Sequence, residues 1–600
     1  VKEGLHKGNA RLNILSKKGS GMMTPLSKTI AGMMLALWLA LMGSGASANE
    51  PLAKNQSYTD ITIYEAQSII TMEPALPEAK FVAVADGIII SVAQDLESLK
   101  PWTDGRKVTI NRDYADKVLM PGFIEPHIHP MQAILMLPLP FIAPEEWELP
   151  GRTYPAASNA EDYERLLRSE LAKSDAPLFL SWGHHALFHG ELTRKELDRI
   201  APDRPVVIWQ RSFHEIIANS AALNLLGIGT SDAFAKTLFT PGIDPSHASF
   251  EKGTIGETAL FGGIDLLRPY LFSPANIRNG LSQLRQMLLE NGVTTAADMA
   301  FGGFGGVQTE APLFKSLFDR ADTPTRIVVV PVSTVIDKEP NLWLKETQAA
   351  YASEKMLFTD RVKLFADGAF FAQYMQLNAP GYSDGHEGKW LTEPEMLAAL
   401  TQKFWDAGWS IHTHVNGDKG LDVVLSISEQ LKPSNSQNLV MEHLGFSSEA
   451  QNRRLADLNI WVSAQPNYIR ILGDVYARSG LGPDRAAQMN RLGSLERKNV
   501  PIGLHSDFNM APIDPLYLAW VTLEGNVKTP SEALSLDKAM RAITIEAAQI
   551  IGMDDVVGSI ASGKKADFVV LGSNPYEQGA DKLRDIAVDA VIFEGQVFTP

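Results

Sequence analysis

The sequence predicts an α/β protein: a (β/α)8 TIM barrel with a large insertion, plus a small β-sandwich domain built from the N- and C-terminal segments. Three observations predict it. Short apolar strand-like pieces alternate with helical stretches through the middle of the chain, the pattern of a parallel sheet. Both ends instead read as β-rich runs broken by turns. Histidines, a lysine and an aspartate recur in the central strand-like pieces at intervals that suit one barrel mouth.

The first element is a leader. The stretch "KTIAGMMLALWLALMGSGASA", residues 28–48, sets a lysine before an apolar run, 30–42, and ends in Ala-Ser-Ala. This is the layout of a secretory signal peptide cut after Ala48. A helix over that run spans roughly 20 Å, short of a ~30 Å hydrocarbon core, which disfavours the alternative of an uncleaved anchor. Residues upstream of Lys28 are long for such a leader, and Met22 or Met23 is a candidate start. Export to the periplasm is the expectation.

Composition narrows the partners. The chain has 600 residues, is 45% hydrophobic and 21% charged, and carries a formal charge of −16. Removing 1–48 takes away six Lys/Arg and one Glu, leaving 48 basic against 69 acidic residues and a charge of −21. So acidic a chain suits neither nucleic acid nor an anionic membrane. The expected partner is a small-molecule substrate, with no lasting membrane anchor and a homodimer as the assembly to test for. There is no cysteine, so a metal site has to use histidine, carboxylate or a modified lysine.

The runs "YTDITIYEAQSIITM", "FVAVADGIIISVA" and "KVTINRDYADKVLMPGF" at one end, and "ADFVVLG" and "DAVIFEGQVFTP" at the other, predict a composite β domain over 49–118 and 556–600. The barrel is expected over 119–555. Its strand-like pieces include "RVKLFADG", "WSIHTHVNGD", "NLVMEHLG" and "VPIGLHSD", and "TEPEMLAALTQKFWDAG" (392–408) reads as one of its helices.

The intervals order the candidate site. A barrel of ~250 residues allots about 31 to each βα unit. His414 to His443 is 29, His443 to Asp507 is 64, and Lys363 to His414 is 51. These residues therefore fall at the ends of strands four, five, six and eight, on one face. From His129 to Lys363 is 234, far more than the roughly 95 of three units, which places an insertion around 135–290. In a strand, residues i and i+2 share a face, so His127 and His129 in "PGFIEPHIHP" can grip one ion together. His412 and His414 have the same relation, and His412 is read as supporting rather than ligating.

These motifs, with the tail "GSIASGKKADFVVL" and the insertion segments "ELDRIAPDRPVVIWQRSFHEIIANSAAL" and "GTIGET", resemble the amidohydrolase superfamily. More narrowly, they resemble its long amidohydrolase-3 (YtcJ-like) branch, which includes N-substituted formamide deformylase. The resemblance runs from about residue 58 to 600. It implies one metal on His127, His129 and Asp507, a second on His414 and His443, and Lys363 carboxylated as the bridge. If Lys363 is instead paired with a carboxylate such as Asp367, a single ion on His127, His129, His414 and Asp507 is implied. The expected cofactor is a divalent metal, Zn²⁺ first, one or two ions.

The implied reaction is hydrolysis of a carbon–nitrogen bond outside peptides, with amide or N-formyl substrates, water acidified by the metal and Asp507 as general base. Lactone or ester cleavage on the same site, or a non-catalytic periplasmic binding or regulatory protein, are the alternatives. Candidate substrate contacts are His214, Asn219, Glu257 and His505; Arg211 is read as a surface ion pair. Three positions depart from the family's pattern. Glu125-Pro126 stands where it usually has Asp-Ser, His505 where it has glycine, and Asn509 where it has proline.

Overall fold

The alternation that predicts parallel strands is seen in the computed structural model, which describes Tyr58 and residues 60–600 except 241, 242 and 526. The predicted leader, 1–48, lies outside the described residues. Among the described residues no helix is long and apolar enough to cross a membrane.

Both chain ends meet in one sheet. Its hydrogen-bonded path runs Gln596–Phe598, Val588–Phe593, Phe568–Leu571, Val118–Pro121, Asp60–Ile70, Glu78–Ala85 and Ile88–Ala93, with Lys107–Asn111 added beside the long strand Asp60–Ile70. That strand changes parallel partner along its length. Asp60 to Tyr64 pair with Lys107 to Asn111, and Ser68 and Ile69 pair with Val118 and Leu119. Where the sequence predicts a sandwich, the hydrogen bonds make one continuous eight-stranded sheet. Its apolar face gathers Tyr64, Ile69, Val82, Leu119, Phe568 and Ile592, the alternate positions that period-2 patterning selects.

The central strands are all parallel and form two sheets. One is ordered Met356–Phe358, Arg326–Pro331, Val293–Phe301, Phe123–Ile128; the other Arg361–Phe365, Ser410–Val415, Leu439–His443, Trp461–Ala464, Ile502–Leu504. A parallel bridge between Val332 and Lys363 joins them on one side. On the other, the Asp507 N–H donates to the His127 carbonyl at 3.1 Å. These strands are nearly continuous apolar runs, as strands buried on both faces are.

One helix shows how sequence builds the shell. In Pro394–Asp406 the proline occupies the first turn, where its missing N–H costs nothing. Leu397, Thr401, Phe404 and Trp405 recur at helical spacing and are buried, each large apolar side chain stabilising by about 1.5–3 kcal/mol. Gly408, at φ +90°, ends the helix in a conformation that a side chain resists. The chain then enters Ser410–Val415. Gly122 is required for a different reason: a Cβ there would lie 2.2 Å from the Thr294 hydroxyl oxygen.

Between the paired strands Phe123–Ile128 and Val293–Phe301, residues 179–256 build a separate five-stranded sheet, ordered Ala248–Ser249, Thr254–Gly256, Glu215–Ala218, Val206–Gln210, Phe179–His184. The apolar stretch at 132–144 packs mainly into the central core, and from it only Gln132 reaches the cavity at the ends of the parallel strands.

Candidate metal centre

The ends of the parallel strands converge on a cavity of about 220 Å³ whose wall includes His127, His129, Lys363, His414, His443 and Asp507. Register explains the convergence. Lys363 stands opposite His412, Phe365 opposite His414, and Val415 opposite His443. Lys363 therefore lies two residues before His414 in register and His443 one residue after it, all three at the C-terminal ends of neighbouring strands.

His127, His129 and Asp507 each offer a ligand atom within 4.8 Å of the others. The Asp507 Oδ1 lies 3.1 Å from His129 Nε2 and 3.7 Å from His127 Nε2. A second trio within the same limit is His127, His443 and His505. His414 and His443 are in ring contact, 4.5 Å between centroids. His443 and Asp507 hold left-handed backbones, φ +73° and +48°, a conformation that costs a non-glycine residue about 1–3 kcal/mol and clusters at functional sites.

Two buried polar atoms here have no hydrogen-bond partner, His127 Nε2 and Lys363 Nζ, and both residues line the cavity. Buried polar atoms are nearly always satisfied, so a set of orphans facing one cavity fits a cation and its ligands. Asp367 does not neutralise Lys363. Its carboxylate accepts the N–H groups of Gln376, Asn416 and Gly417, each at 2.8 Å.

Burial sets the charge states. It pushes His414 down to about 3, and holds His127 and His443 well below the usual imidazole range, with the Lys363 charge adding to the effect on His127. Neutral imidazoles keep a lone pair for a metal. Burial likewise pushes the Lys363 ammonium down to about 8. His129 goes the other way. Burial alone would lower it, but hydrogen bonding to Asp298 and Asp507 raises it to about 9. Burial would raise Asp507, yet the His129 hydrogen bond and nearby cations keep it below the usual carboxylate range.

Two site residues escape sequence reasoning. Glu442 accepts from His127 Nδ1 through one oxygen and from His412 Nδ1 through the other, both at 2.6 Å. This fixes both tautomers and leaves His127 Nε2 to face the cavity. His412 Nε2 meets the Arg361 guanidinium at 3.1 Å, so His412 supports its neighbours. Asp298 lies 3.9 Å from His129 Nδ1. The signal that could find them is a lone carboxylate within an apolar strand, in "NLVMEHLG" and in "TTAADMA".

The predicted substrate contacts separate. His214 lines the cavity, and its Nδ1 sits 3.4 Å from Glu257. Glu257 itself lines an adjoining outer cavity. Asn219 is not brought to the site. It caps the helix Ser220–Leu225, accepting from Val206 and Ala222 and donating to the Ala201 and Arg204 carbonyls. His505 is fully buried behind the ligands, between Ser463 at 2.7 Å and His443 at 3.2 Å. Arg211 is buried rather than on the surface. It pairs with Glu145 at 2.6 Å, donates to the Asn509 and Met510 carbonyls, and stacks on Trp182 and Phe371.

The unusual Glu125 acts as a structural tie. Its carboxylate accepts the Ser506 N–H at 3.0 Å and joins the first parallel strand to the Asp507 loop. Most of the remaining inner wall is apolar, with Phe213, Phe365, Phe370, Phe371, Tyr468 and Met510 beside the polar Ser212 and Asn416.

The family model described as "Amidohydrolase family" matches residues 112–599. The chain is similar to the putative amidohydrolase YtcJ of Bacillus subtilis, 24% identical over 89% of this chain and 98% of the relative. It is also similar to the N-substituted formamide deformylase of Arthrobacter pascens, 24% identical over 89% of this chain and 97% of the relative. In fold it resembles the crystal structure of an uncharacterized metal-dependent hydrolase from Pyrococcus horikoshii, with a TM-score of 0.64 at 21% identity, covering 86% of this chain and 98% of that one.

Proposed function

This chain belongs to the amidohydrolase family, and from that premise we propose that it hydrolyses carbon–nitrogen bonds outside peptides, in substrates of amide or N-formyl type. The observation that carries the reading is the meeting of His127, His129, Lys363, His414, His443 and Asp507 on one small cavity. The name of the Arthrobacter relative, a deformylase of N-substituted formamides at 24% identity, supports the bond type.

The donor set fits one or two divalent ions, Zn²⁺ first. His127, His129 and Asp507 would hold one, His414 and His443 a second, and Lys363 would bridge them once carboxylated. The unpartnered Lys363 Nζ, partly uncharged near neutral pH, supports that modification, since an amine must lose its proton before it can take up carbon dioxide. Such an ion supplies Lewis acidity that makes water a nucleophile near neutral pH.

The protein's own groups do the rest. The Asp507 carboxylate faces the cavity in its ionised form, placed to take the proton of the attacking water and return it to the leaving nitrogen. His214 reaches the same cavity from the insertion. The aromatic wall excludes bulk water and suits an apolar group beside the scissile bond.

The same reading includes closure of the two parallel sheets into a (β/α)8 barrel, supported by the Val332–Lys363 bridge and the Asp507–His127 hydrogen bond. It also includes export through the leader at 28–48. The test is a panel of N-formyl and N-acyl compounds, lactones and esters with the Zn²⁺- or Mn²⁺-loaded protein. Turnover of amides is expected. Turnover confined to lactones or esters would move the bond class, and a protein that neither holds metal nor turns over any compound would make this a binding protein.

A further inference from the structure

A second cavity, of about 560 Å³, adjoins the first and shares Ser212, His214 and Phe371 with it. It is built mostly by the insertion, and its chemistry differs from the aromatic inner wall. Glu257 is already compensated: His214 Nδ1 lies at 3.4 Å and the Lys389 ammonium at 3.7 Å. Lys389 is in turn seated 3.8 Å over the Tyr374 ring.

Glu215 is less compensated. It is half-buried, lines the same cavity, and its side chain's hydrogen-bond partner is the uncharged Gln210 amide. Burial and the Glu257 charge push it up to about 7, offset only in part by Lys252, whose own ion pair is with Glu191 at 2.7 Å.

A second group in this wall is poorly satisfied. His185 is 6% exposed, and its Nε2 makes no close hydrogen bond, the Phe371 carbonyl being a weak acceptor beside it. The Leu187 N–H donates to His185 Nδ1 at 3.2 Å, so the ring proton sits on Nε2. A buried N–H without a close acceptor costs about 1–3 kcal/mol, which a ligand oxygen would relieve.

We propose that the outer cavity is a substrate subsite for an ammonium group with a carbonyl beside it, Glu215 taking the ammonium and His185 Nε2 the carbonyl. The substrates preferred are then amides whose far end carries an amine. This rests on the reading that the inner cavity hosts hydrolysis, with the scissile bond by Asp507 and the chain of the substrate passing His214.

Three matched probes test it: N-(4-glycylaminobenzyl)acetamide and its 4-acetylamino and 4-malonylamino counterparts, which are cationic, neutral and anionic at one position. Affinity is read by titration calorimetry at pH 7.5, where the glycyl amine and Glu215 are both mostly charged, on the chelator-treated full-length protein, where no turnover interferes. The glycyl compound is expected to bind about tenfold tighter than the acetyl compound, with the malonyl compound weakest. Glu215→Gln should bring the glycyl compound within about twofold of the acetyl one, and His185→Phe should weaken all three together.

Equal binding of the three, a cation preference that survives Glu215→Gln, or no binding by any of them overturns the proposal. Turnover of the same probes by the metal-loaded protein separates the two readings. A cation preference without cleavage leaves the subsite and removes the hydrolase reading. Cleavage without charge preference does the reverse.

Discussion

Glu442 and His127 form a fully buried pair, with the carboxylate 2.6 Å from the ring Nδ1. The carboxylate is held down at about 2: burial opposes this, but the Lys363 charge and the His412 hydrogen bond outweigh it. An ionised Glu442 makes His127 carry its proton on Nδ1 and leaves Nε2 free for a metal. Glu442→Gln should therefore weaken metal affinity by about 10–100-fold, read by competition with a chelator. Retained affinity with an intact fold would show that ring orientation does not need the charge.

Lys363 should behave differently with and without metal. In the metal-free protein its Nζ is buried without a hydrogen bond, but its charge holds Glu442 ionised, so in Lys363→Met the relief of a desolvated amine and the unbalanced Glu442 offset each other and stability should change by under about 1 kcal/mol. The same change should lower bound metal from two ions to one and depress turnover. Denaturant unfolding after chelation, beside metal analysis, checks both halves. An apo variant destabilised beyond that would mean that Lys363 has a partner in solution.

Asp507→Asn keeps shape but removes the proton acceptor. Turnover should fall by about 10²–10⁴, with metal content reduced as well because one ligand charge is gone. His127→Ala should lose metal more completely, since it removes a whole ligand rather than one ligand charge and leaves only His129 and Asp507 of that trio. Plasma emission analysis of the two variants, beside a turnover assay, distinguishes the roles. Full activity in Asp507→Asn would remove it as the base.

Acid should destabilise the insertion through His184, His185 and His189. Burial pushes them down to about 3, 3 and 4. Each binds fewer protons folded than unfolded, so its contribution is fully present above about 6.5 and is lost as pH falls toward the folded values. At pH 5 each costs about 2 kcal/mol relative to neutral pH. Urea unfolding at pH 7.5 and pH 5 should show this loss, and His184→Gln should reduce it. An unchanged pH dependence in that variant would assign the acid sensitivity elsewhere.

Arg211 supports the Asp507 loop from below, through the Asn509 and Met510 carbonyls. Arg211→Met leaves Glu145 without its cation and the Asn509 carbonyl without its donor, while the Met510 carbonyl keeps the Asn467 amide. The expected loss is about 3–5 kcal/mol, seen as a lower denaturant midpoint. A change under 1 kcal/mol would mean that water replaces the guanidinium.

The strands are legible in the sequence because apolar runs with a polar residue at one end have few other uses. His127, His129, Lys363, His414, His443 and Asp507 reach one cavity because each falls at that end. Supporting carboxylates are harder to read. Glu442 precedes a ligand whose left-handed backbone breaks the alternation, so Glu442 lies on the face of His412 and His414 and meets His127 there. The same alternation predicts His505 beside Asp507, but the left-handed turn at Asp507 breaks it, so one residue reaches the cavity and the other is sealed behind. Asn219 misleads for a plainer reason. An asparagine just before Ser-Ala-Ala-Leu is a helix N-cap, and its four hydrogen bonds leave nothing for a ligand.

The sheet that joins the two ends has a consequence for biosynthesis. Val118–Pro121 pairs with Phe568–Leu571, and the Tyr64 hydroxyl bonds the Gly595 carbonyl, 531 residues away. A ribosome adding roughly 5–20 residues per second exposes the early strands for tens of seconds before their partners exist. During that interval the flank of Val118–Pro121 that later pairs with Phe568–Leu571 is an open apolar edge, the kind that recruits other chains. Nascent chains arrested before residue 568 should therefore depend on chaperones more than those released after 598, and slowing translation anywhere between residues 121 and 568 should raise aggregation by lengthening that interval.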